Sequence, residues 1–96
     1  MIRVLIERHI AECLESAYEE QSRKVLQHSV AQPGFISGET LVDKHDPHHR
    51  MTLSNWRSEA DWQRWFKSAE RRELMAPLVP MMDKEESVTV LEQYVA

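Results

Sequence analysis

The segment His45-Asp46-Pro47-His48-His49 gathers the densest set of metal-ligand side chains in the chain. Imidazoles and a carboxylate suit zinc, copper or nickel. Neighbouring residues of an extended chain, however, point to opposite sides, and no distant Cys/His set completes a site. The segment therefore reads as a polar hairpin loop, and no metal is expected. Cys13 is the only cysteine, with no CxxC partner and no base near it in sequence. In a helix it would be a small inert apolar residue rather than a nucleophile. The third chemically loaded stretch runs from Ser54 to Arg72 and holds all three tryptophans. Trp56 closes an alternating run, whereas Trp62, Trp65, Phe66 and Ala69 recur at helical spacing and share one face. Such a face either packs a core or walls a pocket for a planar ligand.

The elements that must position these residues follow from hydrophobic period and punctuation. Ile2 to Arg8 alternates as a strand, with Ile2, Val4 and Ile6 on one side and Leu5 on the other. After a turn at His9 to Glu12, a helix of about twenty residues is expected to end before Gln32-Pro33-Gly34. Leu14, Ala17, Tyr18, Val25 and Leu26 form its expected buried stripe, interrupted at Gln21 and Ser22, which either face water, the favoured reading, or put polar groups over a cavity. Phe35 to Lys44 is a second strand in which Gly38 marks a bulge or a close backbone approach. Arg50 to Trp56 is a third strand across the hairpin. Ser58, with Asp61 three residues on, marks the start of the tryptophan helix. That helix is expected to continue past Ala69 until Pro77 and Pro80 stop it, and Val88 to Gln93 forms a last strand.

The order is β-α-β-β-α-β, an α+β ferredoxin-like arrangement of a four-stranded antiparallel sheet with helices on one face. Residues 1–96 are expected to form one domain. The other sheet face, with Leu5 and Leu91, would be left apolar, so a homodimer packed through it is expected. A net charge of −4 and the absence of a basic run point away from nucleic acid. No stretch approaches the ~20 apolar residues of a membrane span, and no signal-peptide pattern precedes the first strand, so a cytoplasmic location is expected.

Two segments carry a family resemblance over nearly the whole chain. Pro33-Gly34-Phe35-Ile36-Ser37-Gly38-Glu39-Thr40-Leu41 resembles the Pro-Gly-aromatic entry to the second strand of the antibiotic biosynthesis monooxygenase (ABM) domains. Trp56-Arg57-Ser58-Glu59-Ala60-Asp61-Trp62-Gln63-Arg64-Trp65, followed by Ser68, resembles their Trp-x-Ser and aromatic helix. The resemblance implies a small dimer that binds a planar aromatic between sheet and helices. In several members it implies oxidation of a phenol or quinol by dioxygen without a cofactor.

That chemistry needs an aromatic cavity, a group to take the phenolic proton and a donor for the developing oxyanion. On the resemblance, Glu7 or His9 is the candidate base, and Asn55, Arg57 and Arg72 are candidate donors. Trp62, Trp65 and Phe66 are candidate walls, with Trp65 the one most directly implied to touch a ligand. Met75 is a further candidate contact. It stands where the haem-degrading branch carries its iron-ligating histidine, and Glu7 stands near that branch's asparagine, so haem degradation is the less favoured reading. Each residue also has an ordinary structural role open to it, from core packing to surface ion pairing. The competing reading is a non-catalytic small-molecule binder or stress-response dimer of the same fold.

Overall fold

The computed structural model describes residues 1–94, so positions 95 and 96 of the expected domain lie outside the described residues. The element order is β1 (Ile2–His9), α1 (Glu15–Val30), β2 (Phe35–Asp43), β3 (Asp46–Trp56), α2 (Glu59–Phe66), α3 (Ala69–Met75), a 3-10 turn (Val79–Met81) and β4 (Ser87–Glu92). The four strands form one antiparallel sheet in the order β2-β3-β1-β4. This is the expected ferredoxin-like α+β arrangement, with the second helix divided in two. No helix among the described residues is long and apolar enough to cross a membrane.

Strand alternation divides the sheet into two unlike faces. Val4, Ile6, Arg8 and Ile10 are buried beneath the helices, and Ser54 and Trp56 join them from β3. Tyr18 and Val25 of α1, Trp62 and Trp65 of α2, and Met75 and Leu78 close the core. On the opposite face the register sets Leu5 beside Leu53 and Glu7 beside Met51, and Met51 beside Leu41.

Several expectations change. Cys13 lies in the turn before α1, exposed and with φ of 67°, rather than inside a helix. Ala17 is exposed. Gln21 is half-buried and its side-chain amide donates to the Leu74 carbonyl at 2.9 Å, tying α1 to α3 rather than facing water. The register shifts in β2 fall between Phe35 and Ser37 and between Val42 and Asp43, while Gly38 marks a close approach, since a Cβ there would meet Phe35 and Leu26 at 3.1 and 3.3 Å. Strand β3 starts four residues earlier than expected, so His48 and His49 are strand residues and the turn is at Lys44 and His45. The tryptophan helix stops at Phe66. Ser68 restarts the chain as an N-cap, its Oγ accepting from the Arg71 amide at 3.1 Å, which leaves Ala69 exposed.

The Pro33-Gly34-Phe35 entry has a specific physical cause. Gly34 has φ of +89°, and a Cβ on it would fall 2.4 Å from the Asp61 carboxyl. Asp61 is fixed there by the Ser58 hydroxyl at 2.9 Å, Arg64 at 3.0 Å and Arg57 at 3.2 Å, while the Ser58 Oγ caps α2 by accepting from the Asp61 amide. The Ser58 hydrogen bond is the main reason its carboxyl titrates below the usual range, with Arg64 and Arg57 adding to it. Gly34→Ala should therefore cost more than about 2 kcal/mol, the left-handed backbone alone accounting for about 1–2. Urea denaturation checks this, and an unchanged midpoint would contradict the packing described.

Candidate functional site

The side chains expected to act together fall on both faces of the sheet. Glu7, His9 and Asn55 lie on the face away from the helices; Trp62, Trp65, Phe66 and Met75 lie within the helical layer; Arg57 and Arg72 are exposed. The structure thus does not bring the candidate bases to the aromatic face. Asn55 donates its amide to the Ser37 hydroxyl at 2.9 Å. Glu7 accepts from or pairs with His49 Nε2 at 3.1 Å, while His49 Nδ1 faces Asp43 at 3.0 Å and its ring stacks on His9 at 4.6 Å. Hydrogen bonding to Asp43 raises the His49 ionisation, with Glu7 contributing, against the smaller effect of burial. Both nitrogens facing carboxylates suits the imidazolium, which donates at each. His48 points the other way, with Nδ1 3.0 Å from the Ile10 carbonyl. The loop cluster is therefore split between two faces, and no group of three or more His, Cys, Asp or Glu among the described residues is arranged to hold a metal ion.

The unusual chemistry lies on the helix side. Arg8 and Arg71 are 3% and 6% exposed, and one carboxylate, Glu86, sits between them. Arg8 Nε donates to Glu86 Oε2 at 3.0 Å and Arg71 NH2 to Glu86 Oε1 at 3.1 Å. Arg8 also donates to the Tyr18 hydroxyl at 3.2 Å and to Met75 Sδ at 3.6 Å. Arg71 lies over the Phe66 ring, 4.9 Å from its centroid, and 5.9 Å from that of Trp62. Its Nε has no hydrogen-bond partner among the described residues, and neither has Trp62 Nε1.

Local structure explains this placement. Arg8 continues the Val4/Ile6 alternation of β1 into the core. Arg71 reaches inward because the break at Lys67–Ser68 rotates α3 relative to α2. In an uninterrupted helix Arg72, seven residues after Trp65, would share its face; the restart delivers Arg71 instead. Glu86 is held by the segment after the 3-10 turn, which bonds to the end of β1 through Ala11 N to Met81 O and Asp83 N to His9 O, both 2.9 Å. Burial opposes the charge on all three groups. At Arg8, Tyr18 and Glu86 outweigh that burial and hold its ionisation above the ordinary value, whereas at Arg71 burial prevails and lowers it. At Glu86 the two guanidinium groups overcome burial and hold the carboxyl below its usual range.

Among the described residues, cavities follow the helix–sheet layer at three places. A cleft of about 630 Å³ is lined by Phe66, Arg71, Met75, Val79, Met82 and Val88, with Lys84, Glu85 and Glu86 at its polar side. A small, partly open space of about 30 Å³ lies among Trp56, Trp62, Trp65, Arg8 and Arg71. A third, of about 290 Å³, lies between α1 and the β2–β3 hairpin and includes Tyr18, Ser22, Arg23 and Arg50. Ser22 lines both the second and third, and its hydroxyl, on the exposed side, donates to the Glu19 carbonyl at 3.2 Å. Of the expected ligand contacts, Phe66 and Met75 line the large cleft, Trp62 and Trp65 line only the small space, and Arg72 lines none of the three.

Arg8, Arg71 and Glu86 were not apparent as site residues from sequence. Arg8 had a signal, its even position in the β1 alternation. Glu86 sits in an acidic run that reads as solvated, and the position of Arg71 depends on a helix break.

The chain matches the family model for antibiotic biosynthesis monooxygenase over residues 1–77 and belongs to that family. Similar solved structures include an antibiotic biosynthesis monooxygenase at 15% identity and TM-score 0.89, covering 99% of this chain and 100% of that one. A further antibiotic biosynthesis monooxygenase structure, from Nitrosomonas europaea, is 14% identical at TM-score 0.88, covering 99% and 100%. SnoaB, a cofactor-independent oxygenase from Streptomyces nogalater, is 9% identical at TM-score 0.87, covering 99% and 94%. At these identities the structures establish the shared fold. Comparison with curated protein sequences finds no match.

Breaking a buried ion pair by neutralising one partner costs about 3–5 kcal/mol. Glu86→Gln should lose about that much at neutral pH, in urea unfolding. Because the folded Glu86 ionises below its unfolded value, its contribution is present above about pH 4.3 and fades as pH falls through the lower folded value. The gap between wild type and variant should therefore close in acid; a gap independent of pH would contradict the network.

Proposed function

We propose that the protein is a monooxygenase of a small phenol- or quinol-type aromatic, bound in the cleft that ends on Arg71. The observation that carries this is the Arg71 guanidinium, laid against Phe66 on the lining of a largely apolar cleft. The volume falls within the roughly 300–1,000 Å³ of small-molecule sites. A planar ring suits the wall of Phe66, Met75, Met82 and Val88, and an ionised oxygen suits Arg71.

The chemistry follows from that electrostatics. Two guanidinium groups face one carboxylate, so the site carries a surplus positive charge that favours phenolate over phenol. Glu86 is a poor base because both arginines hold it ionised and occupied. The phenolic proton leaves toward solvent at the open side of the cleft, where Glu85 is exposed. A phenolate is a far better electron donor than its phenol, which lets dioxygen act without metal or flavin. For a quinol the balance is one dioxygen consumed, one oxygen atom entering the ring, one water formed, and all four electrons supplied by the aromatic.

The same arrangement also serves a binder of aromatic anions that performs no oxidation, a reading favoured by the lack of an unengaged histidine along the cleft. Haem is disfavoured because Met75 Sδ is buried and engaged by Arg8. The family is commonly dimeric, and we assign the interface to the open sheet face, where Leu5, Leu41, Met51, Leu53 and Leu91 lie. The unpaired Cys13 supports the reducing cytoplasm as its location.

Oxygen uptake with a panel of quinols should be detectable, and Arg71→Lys, which keeps charge but loses the planar fork, should lower kcat/KM by about tenfold or more. Ligand-induced stabilisation without uptake from any quinol would favour the binder. Sedimentation should give a species near twice 11.3 kDa; a monomer at micromolar concentration would rule out the assigned interface.

A further inference from the structure

The cavity of about 290 Å³ between α1 and the β2–β3 hairpin shares no lining residue with the Arg71 cleft. Short side chains leave it open. Tyr18, Ser22 and Leu26 recur every four residues along α1, and Ser22 and Thr40 are too small to fill the gap that Tyr18 and Leu26 border. The charge in it is not what packing asks for. Arg8, Arg50 and Val42 lie in one row across β1, β3 and β2 on the helix side, so two guanidinium side chains stand on directly opposed residues. Like charges so placed repel, and an apolar residue at position 50 would suit a helix-covered sheet better. Each arginine has its own partner on α1: the Tyr18 hydroxyl accepts from Arg8 at 3.2 Å, and Glu19 accepts from Arg50 at 2.9 Å. The second pair is the looser one. The Arg50 side chain is 15% exposed but Glu19 is 51% exposed, so the carboxylate half of the pair already stands in water, where such pairing is weak. Arg23, one turn after Glu19, is exposed, lines the same cavity and enters no salt bridge among the described residues. Two guanidinium groups thus face one exchangeable carboxylate, beside an aliphatic wall of Leu26 and Val42.

We propose that this cavity is a second ligand site, which takes the carboxylate of a short aliphatic acid on Arg50, with Arg23 at the rim, and lays the chain against Leu26 and Val42. A carboxylate matches the planar guanidinium fork with paired hydrogen bonds. The fork is already held in place, because Arg50 Nε donates to the Pro47 carbonyl at 2.6 Å. The incoming carboxylate turns Glu19 out into water, a small change for a side chain already half there. The volume accommodates about ten water-sized groups at about 30 Å³ each, which suits an acid of about six to eight carbons and is too large for a bare inorganic anion. The site lies on the helix side of the sheet, away from the face assigned to the dimer, and it stands independently of the oxygenase reading of the Arg71 cleft.

Hexanoate is the probe. Calorimetric titration of the full chain should show saturable binding of hexanoate, and hexanol, of the same length but uncharged, should bind about tenfold more weakly or worse. Arg50→Gln should weaken hexanoate by about tenfold or more. Val42→Glu should do the same, since Val42 is 52% exposed and its replacement sets a carboxylate against Arg50 without disturbing the core. Circular dichroism verifies the fold of both variants. In crystals grown with ω-bromohexanoate, the anomalous bromine peak should lie beside Leu26 and Val42. Absence of saturable binding, equal binding of hexanol, an affinity unmoved by both variants, or bromine found only in the Arg71 cleft overturns the site.

Discussion

A single carboxylate, Glu86, stands between two guanidinium groups that folding removes from water. Taking ions out of water is expensive, and the cost is recovered only where geometry supplies close pairing and further hydrogen bonds. Arg8 has both, through Glu86, Tyr18 and Met75. Arg71 has one carboxylate oxygen and two aromatic rings, and keeps an unused donor. The cluster joins β1, α1, α3 and the segment leading into β4, so the closure of the helical layer over the sheet is coupled to where this charge sits. An ion pair replaced by well-packed apolar side chains is often no less stable, so stability alone is a weak reason for two arginines here. An anionic ligand is a better one.

A run of aromatic contacts carries this charge site to the other end of the sheet. Phe35 meets Trp56 edge-on at 5.3 Å, Trp56 meets Trp62 at 5.6 Å, Trp62 stacks on Phe66 at 5.2 Å, and Arg71 covers Phe66. The run begins beside Gly34, whose missing side chain admits the Asp61 carboxyl and so seats the start of α2. The residues that carry the family likeness therefore act chiefly as scaffold. They fix the helix whose last aromatic, Phe66, is the cleft wall. The tryptophans are the packed interior of that arrangement, and Trp65, the residue most directly implied to touch a ligand, borders only the smallest space.

Much of the architecture was legible from local chemistry. The two-residue period of β1 and β4, the Pro33-Gly34 stop and the Ser58 cap each have one cause and one outcome, and each lies where the sequence places it. The site was less legible, for three separable reasons. Glu7 and Arg8 are adjacent, and one position of strand phase decides which is buried; the Val4/Ile6 alternation selects Arg8, whereas likeness to relatives drew attention to Glu7. Arg71 and Arg72 are also adjacent, and the choice between them turns on a break whose only mark is Ser68 acting as a second cap. Glu86 depends on a long-range docking of the 3-10 turn against β1, which no local pattern encodes.

The central claim is that the Arg71 cleft prefers an aromatic anion. It is tested most directly by the ionisation of a bound chromogenic phenol, such as a nitrophenol, followed through its phenolate absorbance against pH. The account predicts that the bound probe ionises at lower pH than the free one, and that Arg71→Leu abolishes the difference. A bound nitrophenol whose ionisation is unmoved, or displaced to higher pH as in a merely apolar pocket, would contradict it.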